Sequence, residues 1–235
     1  MKSGLGLVLL VCSLQSFAQV DVGRFQSITQ SVSSGSAAYG SGFQGRYTSD
    51  GKVVGDPYLD STFVDTNFQL INRAATIKSP ARYDILNNEL EVKTTAGVRV
   101  LSPSIVESYS TAGKVEDSIY YVSALKYKYE GTPLIGFLQV LSDGGIQLLK
   151  YLRIDITKPT FNASLDVGDK NAYIIQKATL YYSQNRDLFK VKGKKEILQL
   201  FGVKKDQVVS FVESNKLDWK KEKDLAQIFK YYNQL

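Results

Sequence analysis

Apolar positions change their spacing once along this chain, near Gly193. Before it, from about Asp56 to Lys192, short runs of β-branched and aromatic residues alternate with polar ones. Thr62 to Ile71, Gly97 to Ser102 and Ser118 to Gly131 read this way, with Leu125, Tyr127 and Tyr129 set against Lys126 and Lys128. Turn residues separate the runs: Asn87-Asn88, Asp143-Gly144-Gly145, and a stretch near Gln184-Asn185-Arg186. After Gly193 the spacing becomes helical. Ile197 and Phe201, then Val208, Phe211 and Val212, then Leu225, Ile228, Phe229 and Tyr232 fall on single faces. Gly202 suits the end of a first short helix, and Asp218 is placed to cap the last one. The predicted fold class is α+β: an antiparallel β roll, barrel or sandwich over residues 56–192, then two or three C-terminal helices packed on it as a subdomain over 193–235.

The first 55 residues differ from both. Lys2, an apolar run from Leu5 to Leu14, and small residues at Ser16 and Ala18 have the order of a secretory signal peptide. Cleavage is expected between Ala18 and Gln19. A lipoprotein signal ending at Cys12 is disfavoured because Val11 stands where Gly, Ala or Ser is required. Residues 19–55 form an N-terminal segment whose Gln30–Gly51 part is rich in Ser and Gly and reads as a linker. Its Gly40-x-Gly42-x-x-Gly45 has no strand–helix context and carries no nucleotide-binding meaning. No later apolar run is long enough for a transmembrane helix. The expected location is periplasmic or extracellular.

The chain has no histidine, and its single cysteine is Cys12. Ser-His-Asp, Cys-His and histidine-based metal chemistry are therefore excluded, which leaves carboxylate, Tyr, Lys or Ser chemistry. No cofactor or metal is expected. Residues 19–185 carry 16 basic and 16 acidic side chains, whereas 186–235 carry 12 and 7, so the basic excess lies in the helical end. There Lys194, Lys195 and Glu196, and Lys221 to Asp224, mix signs as a solvated helix face does, which argues against nucleic acid. Envelope protein, glycan and lipid remain as partner classes.

Three constellations suggest chemistry. Ser123-x-x-Lys126 with Ser183-x-Asn185 has the spacing of penicillin-interacting serine enzymes, but Ser123 falls in a strand-like run, and Ser49-x-x-Lys52 shows how readily the pattern recurs. Asp166, Asp169 and Asn171 offer oxygen ligands around a glycine without the spacing of a calcium loop, so a polar turn explains them. The third is Arg82 to Thr94, with acids Asp84, Glu89 and Glu91. A two-residue turn at Asn87-Asn88 pairs Leu86 with Glu89, Ile85 with Leu90, Asp84 with Glu91, Tyr83 with Val92 and Arg82 with Lys93. Tyr83, Ile85, Leu90 and Val92 then face inward. Asp84 and Glu91 lie side by side on a solvated outer face, each with a base on the diagonal, and a structural role is expected. Tyr127 and Tyr129 are candidate binding residues, with Asp84 and Glu91 as weaker ones; for the two tyrosines a core position is the competing expectation.

The segments Ala81–Thr94, Gly97–Ser110 and Lys194–Leu235 resemble a family of secreted Gram-negative proteins of unknown function. The shared features are the signal peptide, a Tyr-Asp…Asn…Leu-Glu hairpin, and a Lys-rich helical end finishing in Tyr231-Tyr232-Asn233. The resemblance runs from about Tyr58 to the C-terminus. It implies an envelope-located architecture and supplies no activity. The resulting expectation is an exported, non-enzymatic envelope protein with a binding or structural role; the alternatives are a periplasmic hydrolase using carboxylate, Tyr or Lys groups, and a lipid or small-molecule carrier. Convergent carboxylates in a deep pocket would favour the enzyme, and an apolar cavity the carrier.

Overall fold

The computed structural model describes residues 52–112 and 118–235. The expected signal peptide with Ala18 and Gln19, Cys12, the Gly/Ser-rich stretch and Ser49 lie outside the described residues.

Among the described residues thirteen strands precede three α-helices. The strands are β1 (Val53–Val54), β2 (Val64–Leu70), β3 (Thr76–Asp84), β4 (Glu89–Thr94), β5 (Gly97–Leu101), β6 (Val106–Ala112), β7 (Ser118–Ser123), β8 (Lys128–Tyr129), β9 (Thr132–Pro133), β10 (Phe137–Ser142), β11 (Gln147–Ile156), β12 (Ala172–Gln184) and β13 (Asp187–Lys190). They form one mostly antiparallel sheet in the order β5-β4-β3-β2-β6-β7-β10-β11-β12-β13-β8-β9, with β1 parallel to the far end of β12. The two ends of the order do not pair, so the sheet is not a closed barrel. The helices are α1 (Lys194–Phe201), α2 (Lys205–Ser214) and α3 (Glu222–Gln234). The class is α+β, β-rich. No helix among the described residues is long and apolar enough to cross a membrane.

Alternation along each strand divides the side chains between two faces. On one face Phe68, Tyr83, Leu90, Val92, Tyr109, Tyr121 and Phe137 form a core. Leu152 and Ile154 of β11 pack against that same core, so the sheet curls until strands far apart in the order share it. The helices cover the same face farther along, where Ile197, Phe201, Val208, Leu225, Ile228 and Phe229 meet Leu148 and Tyr182. On the opposite face the chain between β7 and β10 folds over Leu138, Leu149 and Tyr181.

The open side of the curl is crossed by a strap. Ala172 donates to Lys52 O, Ile85 to Pro57 O, and Leu59 to Tyr83 O, so residues 52–59 run from β12 to β3. The Gln176 side chain fixes the middle by donating to Asp56 O (3.1 Å) and Tyr58 O (2.8 Å). Residues 52–55, the end of the N-terminal segment 19–55, are thus the anchored start of this strap.

Two other expectations change. The run through Leu125, Tyr127 and Tyr129 is not one strand: β7 ends at Ser123, and Ala124–Lys126 is a 3-10 turn with Leu125 exposed. Ser123 pairs with Phe137 and Ala124 N donates to Gly136 O, and the chain then leaves the sheet. The last helix begins at Glu222, not beside Asp218. Asp218 instead accepts from Lys220 N, while its own N–H donates to Asp224, which makes a separate turn before the helix.

Candidate functional site

The Asp84–Glu91 hairpin has a four-residue loop, Ile85–Asn88, and pairs Asp84 with Glu89, Tyr83 with Leu90, and Arg82 with Glu91. The predicted two-residue turn fails because Asp84 organises the loop. Its carboxylate accepts from Asn87 N (3.0 Å) and Asn87 Nδ2 (2.8 Å), and Asn88 takes a left-handed φ of 58°. Asp84 is therefore buried, 6 % exposed, rather than solvated beside Lys93. Glu91 faces Arg82 directly: Arg82 Nε and Nη2 both reach Glu91 Oε2 at 2.8 Å. The other Glu91 oxygen accepts from Tyr58 Oη at 3.2 Å.

The strap and the chain after it cover this outer face. Arg82 lies 3.8 Å from the Tyr58 ring centre and 4.6 Å from that of Phe63, and its Nη1 donates to Ser61 O. Lys93 sits over Phe63 as well. Burial pushes the Tyr58 hydroxyl pKa up, with Glu91 adding to the effect. Burial likewise raises Glu89, and the neighbouring Asp84 and Glu91 raise it further. Three acids thus share one patch, but Asp84 is committed to the loop and Glu91 to Arg82 and Tyr58. Glu89 is the acid whose protonation the patch tunes. Among the described residues no group of three or more acids or cysteines is arranged to hold a metal ion.

The tyrosine candidates separate. Tyr127 is 6 % exposed, packed with Leu138, Leu149 and Tyr181, and its hydroxyl donates to Gln147 Oε1 at 2.9 Å. Tyr129 is half-buried, edge-on to Tyr181 at 5.2 Å, and lines an open groove of about 320 Å³ between β8, β13 and the start of α1. A hydrogen bond to Glu130 raises its hydroxyl pKa. Lys128, Lys190 and Lys192 rim the groove with no ion pair to any described residue. Phe189, 42 % exposed, stacks on Tyr182 and offers its free side. Glu130, Asp187 and Glu196 are the groove's acids, and Glu196 is held by Lys192 N at 3.0 Å. The sequence hid this groove because its residues come from two separated stretches, 128–131 and 187–196; the run Phe189-Lys190-Val191-Lys192 was the available signal.

The remaining constellations take structural positions. Ser123 Oγ is buried and donates to Pro103 O (2.8 Å), while Lys126 pairs with Glu107 (2.7 Å). Asp169 accepts from Asn171 N and Tyr173 Oη, which hold its carboxyl below the usual range, and Asn171 accepts from Lys52 N. Tyr231 stacks on Phe211 and Tyr232 on Phe201. Asn233 accepts from Ile146 N and donates to the Asp143 and Ile146 carbonyls, clamping the β10–β11 turn. Compared with models of protein families, with curated proteins and with solved structures, the chain matches none.

Proposed function

We propose that the protein is exported to the bacterial envelope and works there as a non-enzymatic binding protein. The observation that carries the reading is the groove between β8, β13 and α1. Lys128, Lys190 and Lys192, which make no ion pair among the described residues, line this open cleft together with Tyr129, Phe189 and the acids Glu130, Asp187 and Glu196. Aromatic faces stack on sugars, and ammonium groups meet phosphate or carboxylate, so an anionic envelope glycan or lipid headgroup suits it. The signal-peptide order of Met1 to Gln19 and the resemblance to secreted Gram-negative proteins support the compartment.

The test is pull-down of tagged, processed protein from its native envelope, with mass spectrometry of glycan, lipid and protein. Phosphate- or carboxylate-bearing glycan or lipid should co-purify and be lost from a Lys128→Gln, Lys190→Gln, Lys192→Gln variant. Equal recovery with that variant refutes the groove. The same preparation should start at Gln19; an acylated Cys12 would place it instead on a lipid anchor. The second reading, a hydrolase, rests on Glu89, which lies opposite Asp84 on the hairpin and whose carboxyl is raised by burial and by Asp84 and Glu91. Hydrolysis of envelope glycans by the purified protein, abolished by Glu89→Gln, would replace the first reading with the second.

A further inference from the structure

One sheet edge has a gap, and its position defines a ligand. On the side of β12 away from β11, β1 pairs with Ala172–Tyr173 and β13 with Tyr181–Gln184. Val191 N reaches Leu180 O, extending the β13 contact by one residue. At the other end Gly55, with φ of 124°, turns the strap away against Ile174, where a Cβ would come within 2.9 Å of the Ile174 side chain. Among the described residues no strand pairs with Ile175 to Thr179 on this side.

The backbone direction of the gap follows from its two ends. Ala172 N and Leu180 O both point to this side, so the even-numbered residues between them do the same. Gln176 and Ala178 therefore present N–H and C=O groups outward, and both residues are exposed. The slot is five residues, about 17 Å, with a wall at each end. A single extended peptide fits it, whereas the sheet of a second folded domain would meet β1 and β13.

The side chains beside the slot set the peptide's character. On the outer face Ile175 (41 % exposed), Tyr173 (40 %) and Val54 (43 %) form an apolar step next to one another. Two residues on, Lys177 lies across from Arg153, and both contact the single carboxylate of Asp155. That leaves one positive charge in excess. We infer that the β12 slot binds an extended peptide segment of a partner protein, antiparallel to β12, with an acidic residue beside Lys177 and a β-branched residue two positions later beside Ile175. This inference is independent of the lysine groove.

The other edges are blunted against such pairing. β9 is two residues long and contains Pro133. The edge strand β5 turns Arg99 toward the core face opposite Val92, with its Nε buried and without a partner among the described residues. An inward charge of this kind discourages an added strand.

The test uses the full chain and a capped probe peptide, Ser-Thr-Glu-Thr-Val-Thr-Ser, followed by amide NMR and hydrogen exchange. Shifts should centre on Ile175 to Thr179, and exchange at Gln176 and Ala178 should slow about tenfold at saturation. The same peptide N-methylated at alternate residues should not bind, because its side chains remain but its strand hydrogen bonds do not. Lys177→Glu should weaken the glutamate probe about three- to fivefold and strengthen a lysine-for-glutamate probe. Equal binding of the N-methylated probe, no shift at millimolar peptide, or Gln176 and Ala178 amides already slow in the chain alone would each overturn the inference.

Discussion

The sharpest test of the hairpin is a pair of double-mutant cycles, Arg82→Met with Glu91→Gln and Asp84→Asn with Lys93→Met. Arg82 and Glu91 are 23 % and 18 % exposed, and two guanidinium nitrogens reach one carboxylate oxygen at 2.8 Å. An exposed ion pair couples by about 0–1 kcal/mol, whereas breaking a fully buried one costs about 3–5 kcal/mol. At one-fifth exposure, with Tyr58 and Phe63 stacked against the guanidinium, coupling of about 1.5–2.5 kcal/mol is expected. Methionine preserves the alkyl packing between the rings, so the cycle isolates the charge. Asp84 and Lys93 should couple by under about 0.5 kcal/mol, because Asp84 is spent on Asn87 and Lys93 lies over Phe63. The assay is equilibrium urea unfolding followed by circular dichroism, accepted where m is unchanged between variants. Coupling above about 1 kcal/mol for Asp84–Lys93, with little for Arg82–Glu91, would refute the observed register.

Four further perturbations test other parts of the fold. Gly136→Ala places a Cβ 2.4 Å from Asn88 Oδ1 and 2.7 Å from the Tyr83 hydroxyl at a φ of 108°, so it should cost about 2–4 kcal/mol in urea unfolding. Asn233→Ala removes three hydrogen bonds to the β10–β11 turn and should cost about 1.5–3 kcal/mol, with faster amide exchange at Ile146. Arg186→Gly should instead stabilise by about 0.5–1 kcal/mol, since Asn185 and Arg186 hold φ of 51° and 70° in a turn that favours glycine at its second position; a loss of stability would contradict that geometry. Burial raises the Tyr121 pKa from 10.0 to about 12, and burial likewise holds Tyr83 and Tyr109 well above the ordinary tyrosine value. A raised pKa gives stability that is complete below pH 10 and is lost as pH climbs toward 12, so tyrosinate absorbance should show exposed rings ionising first and buried ones only with cooperative unfolding. All 15 tyrosines ionising together near pH 10 with circular dichroism unchanged would contradict it.

Period carried most of what could be read from the sequence. Tyr83, Leu90 and Val92 face the core as expected even though their register is wrong, because the observed pairing differs by two residues and such a shift preserves the face. The helical repeats of Ile197, Val208 and Leu225 likewise found their common cluster. Non-local partners were invisible. Nothing within Arg82–Thr94 announces that Tyr58 and Phe63 will cover its outer face, so its charged residues read as solvated. Tyr127 fits a strand pattern equally well, and the turn at Ala124–Lys126 that carries it onto Leu138, Leu149 and Tyr181 depends on partners distant in sequence. Of the candidate site, Tyr129 was legible as a residue, while the lysines and Phe189 around it were not legible as a group.

The strap and the slot on β12 have one cause. A curled sheet that does not close must end its ladders somewhere, and every end exposes backbone groups that compete for partners. Here β12, at 13 residues, outruns what lies beside it: four residues pair with β13 and two with β1. The strap cannot lengthen its contact with β12, because it must depart at Gly55 to reach Tyr83 and Ile85 across the opening. Nor can β13 extend, because Gly193 starts the helices that cover Leu148 and Tyr182. The same two connections that hold the curl in shape therefore leave Gln176 and Ala178 without a strand partner among the described residues. Pairing there by an incoming peptide adds hydrogen bonds without requiring either connection to move, which is why the slot, rather than the blunted edges at β5 and β9, is where this fold has room for a partner.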